Sequence, residues 1–395
     1  MNRLRMIILA LLAALGVSIA CAQDAETSLQ TLQARLEAPR LDADGPLAPM
    51  VLTAAMQKAN VPGLSIAVIR DYAVVWAKAY GVADVDSKQP ATAQTLFQAA
   101  SISKPITAMA AMRLAQEGRL ALDEDVNKVL TSWKVPASTA WQAPVTPRSL
   151  MSHTSGADDG FGFPGYDPDA PRPTLVQILN GEPPSNVGKV LFARPPYQAY
   201  KYSGGGVTLM QLLLGDVTHQ PFAAFMRASI LDPLGMNDST YEQPIPGPMA
   251  SRTARGHDGD GKAQGVKWHV YPEQAAAGLW TTPSDLAKAA IEVQKALRGP
   301  KGEVLTQASA REMTTPTGVG PFAIGFEIDK RGEGWYFSHG GSNWDFRCIL
   351  LAHVRKGYGV AVMTNSDSGG ALLTEVVARV AAAEKWDSLD KPLRR

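Results

Sequence analysis

The chain opens on an uninterrupted apolar run and then alternates between two textures. After Arg3 and Arg5, Met6–Ala20 is uncharged and almost wholly apolar, and Ala20-Cys21-Ala22 follows as a small-x-small site. That run of 15 residues falls short of the roughly 20 that span a bilayer. The order positive, apolar, small reads as an export signal of residues 1–22, cleaved after Ala22 to leave Gln23 first. The mature protein is then expected to be periplasmic or secreted, with no stable membrane span. An uncleaved anchor and a lipoprotein through Cys21 are the rival readings. Against the second, Ser18-Ile19-Ala20-Cys21 lacks the Leu usual three places before a lipidated cysteine.

Beyond the signal, the pattern predicts a short helix over Glu26–Arg35, a linker over Pro39–Pro49 and a helical piece over Leu52–Lys58. Leu64–Ile69 and Ala73–Ala79 are β-rich and broken by Arg70-Asp71-Tyr72, which predicts a hairpin. Pro105–Glu117 has helical composition with Gly118 as its stop. Gly156–Pro173 is dense in Gly, Pro and Asp with Phe161, Phe163 and Tyr166 interspersed, and reads as an ordered cleft wall. Helices are expected over Val207–Val217, Phe222–Ile230 and Pro283–Leu297, the last capped by Thr282 or Ser284. Four β runs then follow, Phe322–Ile328, Trp335–His339, Phe346–His353 and Gly359–Thr364, as an antiparallel meander. Glu375–Glu384 closes the chain as a helix. β-rich ends around a helix-rich middle predict an α/β (α+β) fold, with a discontinuous domain of 23–103 and 255–395, a helix-rich insertion of 104–254, and the active site between them.

Composition narrows the function. The chain has 395 residues, enough for one large or two coupled cores. The net charge of +1 and the absence of any Lys/Arg run of five argue against nucleic acid. With Cys21 removed, only Cys348 remains, and apolar Ile349-Leu350-Leu351 after it predicts a buried core thiol. The six histidines (153, 219, 257, 269, 339, 353) show no ligand spacing, so neither a metal nor another cofactor is expected. There is no G-x-S-x-G nucleophile elbow. The expected partner is a small molecule or a short peptide.

Three short motifs carry chemistry. Ser101-Ile102-Ser103-Lys104 stands where a β-rich region meets a long apolar helix. Three residues apart on a helix share a face, so Lys104 is placed over the Ser101 hydroxyl. A serine needs a neighbour to take its proton, and a lysine kept neutral by burial can do so. Ser388-Leu389-Asp390-Lys391 repeats the spacing in a polar tail and reads as a chance match. Tyr200-Lys201-Tyr202-Ser203-Gly204 places a tyrosine that can relay a proton, or one that merely packs. His339-Gly340-Gly341-Ser342 ends a predicted strand, where glycines admit a substrate backbone and an edge N–H can meet an oxyanion.

In this order and spacing, with Tyr202 101 positions after Ser101 and His339 137 after Tyr202, the chain resembles the serine hydrolases related to class C β-lactamases, penicillin-binding carboxypeptidases, D-aminopeptidases and family VIII carboxylesterases. The linking stretches Pro62–Val68, Leu150–Gly156, Leu234-Gly235-Met236 and Gly278–Leu286 have the same family character. The resemblance runs from about Ala48 to Ala383. It implies a β-lactamase/transpeptidase-like fold, an antiparallel sheet flanked by helices with an all-helical insertion. It also implies Ser101 as acylated nucleophile, Lys104 as its activator and Tyr202 as second-motif tyrosine. Backbone N–H groups of Ser101 and Ser342 would form the oxyanion hole, and His339, Gly340, Gly341 and Gly204 would contact substrate. His153, in the His-Thr-Ser-Gly turn, is read as structural.

Two departures shape the functional expectation. Gly204 stands where β-lactamases usually carry Asn, and His339 where they carry Lys. A histidine of ordinary pKa is mostly neutral at pH 7, so the fixed cation for a substrate carboxylate is missing. Arg347, eight positions on, is the candidate substitute. The expected activity is ester or amide hydrolysis through a Ser101 acyl-enzyme, carboxylesterase-like. The alternatives are a β-lactamase, a D-amino-acid peptidase, or a non-catalytic binding protein, the last opposed by intact Ser101, Lys104 and Tyr202.

Overall fold

The computed structural model describes residues 51–159, 162–331 and 334–386. The export signal, the predicted helix over Glu26–Arg35, the linker, Phe161 and the Ser388–Lys391 match lie outside the described residues. After helix α1 (Leu52–Lys58), strands β1 (Gly63–Arg70) and β2 (Ala73–Asp84) form the expected hairpin. Its turn is made by Asp71 and Tyr72, both at positive φ. A short β3 (Gln89–Pro90) edges the sheet.

The other four sheet strands come from the far end of the chain: β8 (Glu327–Arg331), β9 (Gly334–Asn343), β10 (Phe346–His353) and β11 (Gly359–Thr364). The seven-stranded antiparallel order is β3-β2-β1-β11-β10-β9-β8. The two ends of the chain therefore meet at β1 and β11, paired from Leu64↔Thr364 to Ile69↔Gly359. Both strands are buried on both faces, which is why they read as continuous apolar runs rather than alternating ones. Side chains still divide with period two. Leu64, Ile66, Val68, Val360 and Val362 face α1 and the closing helix α11 (Gly369–Ala383). Ala67, Ile69, Ala361 and Met363 face the larger core of the helical middle.

That middle is built around α2 (Ser103–Gln116) and α5 (Gly204–Thr218), with α3 (Pro147–Met151), α4 (Leu175–Asn180), α6 (Phe222–Met226) and the short α7 (Gly247–Ala250) about them. α8 (Gln274–Ala277), α9 (Pro283–Arg298) and α10 (Gln307–Glu312) lead back to the sheet. Two small ladders, β4 (Phe97–Gln98) with β7 (Trp280–Thr281) and β5 (Ala157–Asp158) with β6 (Leu191–Phe192), tie the loops. Of the two candidate caps of α9, Thr282 is the one used, its side chain accepting from the Asp285 N–H. Among the described residues, no helix is long and apolar enough to cross a membrane.

One sequence expectation fails for a local reason, and another is met in altered form. Phe322–Ile328 is not a strand throughout: Gly325 turns at φ +84°, and a Cβ there would lie 2.7 Å from the Ala108 Cβ. The run is apolar because Ala323, Ile324 and Phe326 are buried in the core, not because it is extended. The expected helix over Phe222–Ile230 is present, α-helical to Met226 and widened to a π-helix over Arg227–Leu231.

Candidate active site

Ser101 sits on a tight 3₁₀ turn, Ala100–Ile102, that feeds directly into α2. Ala100 takes φ +50°, a left-handed conformation that costs a non-glycine residue about 1 kcal/mol or more. The surroundings hold that turn from three sides. The Ser103 hydroxyl donates to the Ala100 carbonyl at 2.5 Å and accepts the Leu279 N–H at 3.0 Å, and the Tyr241 hydroxyl donates to the Ser103 carbonyl at 2.8 Å. The Cys348 thiol donates to the Ala99 carbonyl at 3.0 Å. β9 comes so close that a Cβ on Gly341 would stand 2.2 Å from the Cys348 Sγ and 2.3 Å from the Ala99 carbonyl oxygen. Gly341 is thus required by close approach, and Cys348 is the buried packing thiol that its sequence context predicts.

At the second position of α2, the Lys104 side chain folds back over Ser101. Its Nζ is 2.9 Å from the Ser101 Oγ and donates to the Ala276 carbonyl of α8 at 2.8 Å. The same nitrogen lies 5.1 Å from the centre of the Tyr202 ring. Burial lowers the Lys104 pKa to about 7, with the nearby Asp159 carboxylate opposing the fall. A lysine in this state is neutral for a large fraction of molecules near pH 7, which is what a proton acceptor needs.

Tyr202 is held from behind. The Ser203 N–H donates to His153 Nδ1 at 3.2 Å, and the His153 ring lies 4.2 Å from the Tyr202 ring. Phe322 packs edge-on to His153 at 4.8 Å and stacks on Tyr200 at 5.6 Å. Desolvation raises the Tyr202 pKa, and the neighbouring Ser101 side chain works against the rise. Lys201, between the two tyrosines, turns away and pairs with Asp158. The Ser203 hydroxyl caps α5 by accepting the Gly206 N–H at 2.8 Å, so the glycine run belongs to the helix rather than to a loop before it. The Asp159 carboxylate accepts the Gly205 N–H at 2.6 Å through Oδ2, while its buried Oδ1 has no hydrogen-bond partner.

These groups open onto a cleft of about 440 Å³ whose walls include Ser101, Tyr200, Tyr202, Phe322, His339 and Ser342. His339 is buried, its Nδ1 donating to the Gly340 carbonyl at 2.6 Å and its Nε2 without a partner. Burial, then the neighbouring Lys104, lowers its pKa to about 3. It is a neutral ring. Arg347 also borders the cleft, but its guanidinium is committed to the Asp367 carboxylate and to the carbonyls of Asn343 and Phe346. Gly204 is buried, and the Phe163 ring stands where a side chain at position 204 would project, 2.6 Å from an ideal Cβ.

A family model described as Beta-lactamase matches residues 50–384. The chain belongs to the beta-lactamase family. Protein flp of Staphylococcus aureus (strain N315) is 27% identical over 326 residues, an alignment covering 79% of this chain and 61% of flp. The chain thus spans about three fifths of the length of that relative. Esterase EstB of Burkholderia gladioli is 28% identical over 341 residues, covering 78% of this chain and 80% of EstB. Among solved structures, the octameric penicillin-binding protein homologue from Pyrococcus abyssi superposes with a TM-score of 0.68 at 24% identity, covering 87% of this chain and 77% of that one. At that identity the likeness speaks to the fold, which is β-lactamase/transpeptidase-like.

Within this beta-lactamase-family cleft the structure brings Ser101, Lys104 and Tyr202 together, with His339 to Ser342 forming the facing strand. Sequence reasoning missed Ala276, whose carbonyl anchors Lys104, and Asp159, whose charge acts on it. It also missed Phe322 and the seat of Phe163 against Gly204. The first two act through a backbone carbonyl and a loop carboxylate, and neither leaves a local pattern. Phe163 lies in a stretch that reads as a cleft wall. Its contact with Gly204 joins positions 41 apart in the chain and is visible only in three dimensions.

Proposed function

We propose that the protein is a serine hydrolase that cleaves esters through a Ser101 acyl-enzyme. The observation that carries this reading is the 2.9 Å approach of Lys104 Nζ to Ser101 Oγ, with the lysine buried and its pKa near 7. Neutral Lys104 takes the Ser101 proton as Oγ attacks the ester carbonyl. The Ser101 and Ser342 N–H groups receive the oxyanion. Tyr202, on the cleft wall with Ser101 and with Lys104 Nζ 5.1 Å from its ring centre, relays the proton taken up by Lys104 to the departing alkoxide. Water then attacks the acyl-enzyme by the reverse sequence, releasing the acid and restoring Ser101.

Ester preference rests on what the walls lack. An uncharged His339 and an Arg347 already paired offer a substrate carboxylate no free cation, and Gly204 offers no amide. A lost charged hydrogen bond is worth about 1.5–3 kcal/mol, whereas an activated ester needs mainly a nucleophile and an oxyanion site. Likeness to an esterase, EstB, supports the same assignment. Hydrolysis of D-amino-acyl amides is the second reading, favoured by Glu327, a cleft carboxylate beside Tyr200 that can receive an ammonium. Export with cleavage after Ala22 and the division into 23–103 with 255–395 and 104–254 belong to the same proposal.

The test is kcat/KM for p-nitrophenyl butyrate, nitrocefin and D-alanyl p-nitroanilide on one preparation, with Ser101→Ala as blank. The ester should be turned over clearly fastest. Faster Ser101-dependent turnover of nitrocefin would replace the esterase by a β-lactamase, and reaction with the anilide alone would establish the amidase.

A further inference from the structure

We propose that Glu327, with the rings of Tyr200 and Phe322, forms a cation subsite in the Ser101 cleft, and that the favoured esters carry an ammonium group. The inference deepens the esterase reading above and rests on it. All three residues line the same cleft as Ser101. Glu327 opens β8 and lies opposite Ser338 of β9, the neighbour of His339. Phe322 forms an antiparallel bridge with Glu327, and the Ile328 N–H donates to the Pro321 carbonyl at 2.9 Å. The backbone thus fastens the carboxylate to the aromatic segment. The Phe322 ring stacks on Tyr200 at 5.6 Å and lies 5.9 Å from Tyr202 and 5.7 Å from His339. Gly320 lets this segment lie against Tyr200: its φ is +76°, and a Cβ there would stand 2.5 Å from the Tyr200 Cβ and Cγ.

Charge singles out Glu327. It and Arg347 are the acid and the base of the cleft wall. Arg347 is paired with Asp367, and His339 is a neutral ring. Arg331, on the same strand as Glu327, pairs with Asp329 at 3.3 Å. Among the described residues the Glu327 carboxylate has no hydrogen bond or ion pair. Burial, then the Asp329 charge, raises its pKa, with Arg331 opposing the rise. A cation beside such a carboxylate is held by Coulomb attraction and by the quadrupole of the adjoining rings. A neutral group gains neither, and an anion is repelled.

Two pairs of esters, matched in size, differ in having trimethylammonium or tert-butyl at one end. Butyrylcholine is compared with 3,3-dimethylbutyl butyrate, which places the cation on the alcohol. p-Nitrophenyl 4-(trimethylammonio)butyrate is compared with p-nitrophenyl 5,5-dimethylhexanoate, which places it on the acyl group. Each kcat/KM is divided by the alkaline hydrolysis rate constant of the same ester, which removes the intrinsic activation by the cation. Wild type should favour the cationic member of at least one pair by about fivefold or more. Glu327 is exposed, so substitution there leaves the core undisturbed. Glu327→Gln keeps the shape and should abolish the preference, and Glu327→Lys should reverse it. No cationic preference in either pair, or one that survives both substitutions, overturns the subsite.

A binding measurement separates this proposal from the esterase reading. In ligand-observed NMR titrations, choline should bind wild type more tightly than its neutral isostere 3,3-dimethylbutanol. Glu327→Gln should lower that ratio by about fivefold. Protein that hydrolyses none of the four esters, yet binds choline in this Glu327-dependent way, overturns the esterase reading and leaves the subsite standing. Neither hydrolysis nor Glu327-dependent binding overturns both.

Discussion

The floor of the cleft and its walls are built on different terms. On the floor, every group near Ser101 is tied down: the strained Ala100 turn by Ser103 and Cys348, Lys104 by the Ala276 carbonyl, Tyr202 by its His153 backing. On the walls, the positions that would grip a substrate's negative charge are neutral or already engaged: His339 buried and uncharged, Arg347 paired with Asp367, Gly204 covered by Phe163. The proposed acylation chemistry and the grip on substrate thus rest on different residues.

Loss of the floor should have the largest effect. In the proposed mechanism Lys104→Ala removes the proton acceptor, and general acid–base help is typically worth about 10²–10⁴-fold. Its kcat should fall by that order, Tyr202→Phe should fall comparably, and the double variant should lose less than the product because the two act as a unit. In the wild type, kcat/KM should rise with pH through about 7, as Lys104 loses its proton. A Lys104→Ala enzyme of near-normal kcat with the same acid limb would assign the base elsewhere.

A change to a wall should reshape preference and leave acylation intact. His339→Lys places a cation where a neutral ring stands. It should improve a carboxylate-bearing substrate relative to p-nitrophenyl butyrate by about tenfold, the lower end of a charged hydrogen bond. No relative change would mean that position 339 does not face the substrate.

The smallest effect concerns stability behind the floor. Glu273 immediately precedes α8, the helix that anchors Lys104, and is fully buried with neither carboxylate oxygen hydrogen-bonded. Burial raises its pKa to about 7 from an ordinary 4.5. Between these values the folded protein binds more protons than the unfolded chain, so stability falls as pH rises through that window. Glu273→Gln should raise Tm at pH 8, by a stabilisation on the order of 3 kcal/mol, and should have little effect near pH 4.5. A pH-independent difference would mean that the carboxylate is paired and ionised.

What can be read from sequence alone follows the same division. The floor is legible because its chemistry is local: Ser101 and Lys104 are one helical turn apart, and α2 starts at Ser103, two residues before the Pro105 read from sequence. β10 and β11 are readable to the residue, since Phe346–His353 and Gly359–Thr364 are apolar runs bounded by turns. The helix after the second motif is expected from Val207 but begins at Gly204, because Ser203 caps it and three glycines are drawn into the first turn. The walls are harder. The protonation state of His339 depends on burial and on Lys104, 235 positions earlier, and the filling of the space at Gly204 depends on a loop whose path no local pattern encodes.

The central claim is that Ser101 alone carries the acyl group. Protein mixed with p-nitrophenyl butyrate, acid-quenched during the first turnovers and digested, should show by peptide mass mapping one butyryl group on the peptide containing Ser101, absent from Ser101→Ala. A butyryl group on any other residue, with the Ser101 peptide unmodified, would contradict the account.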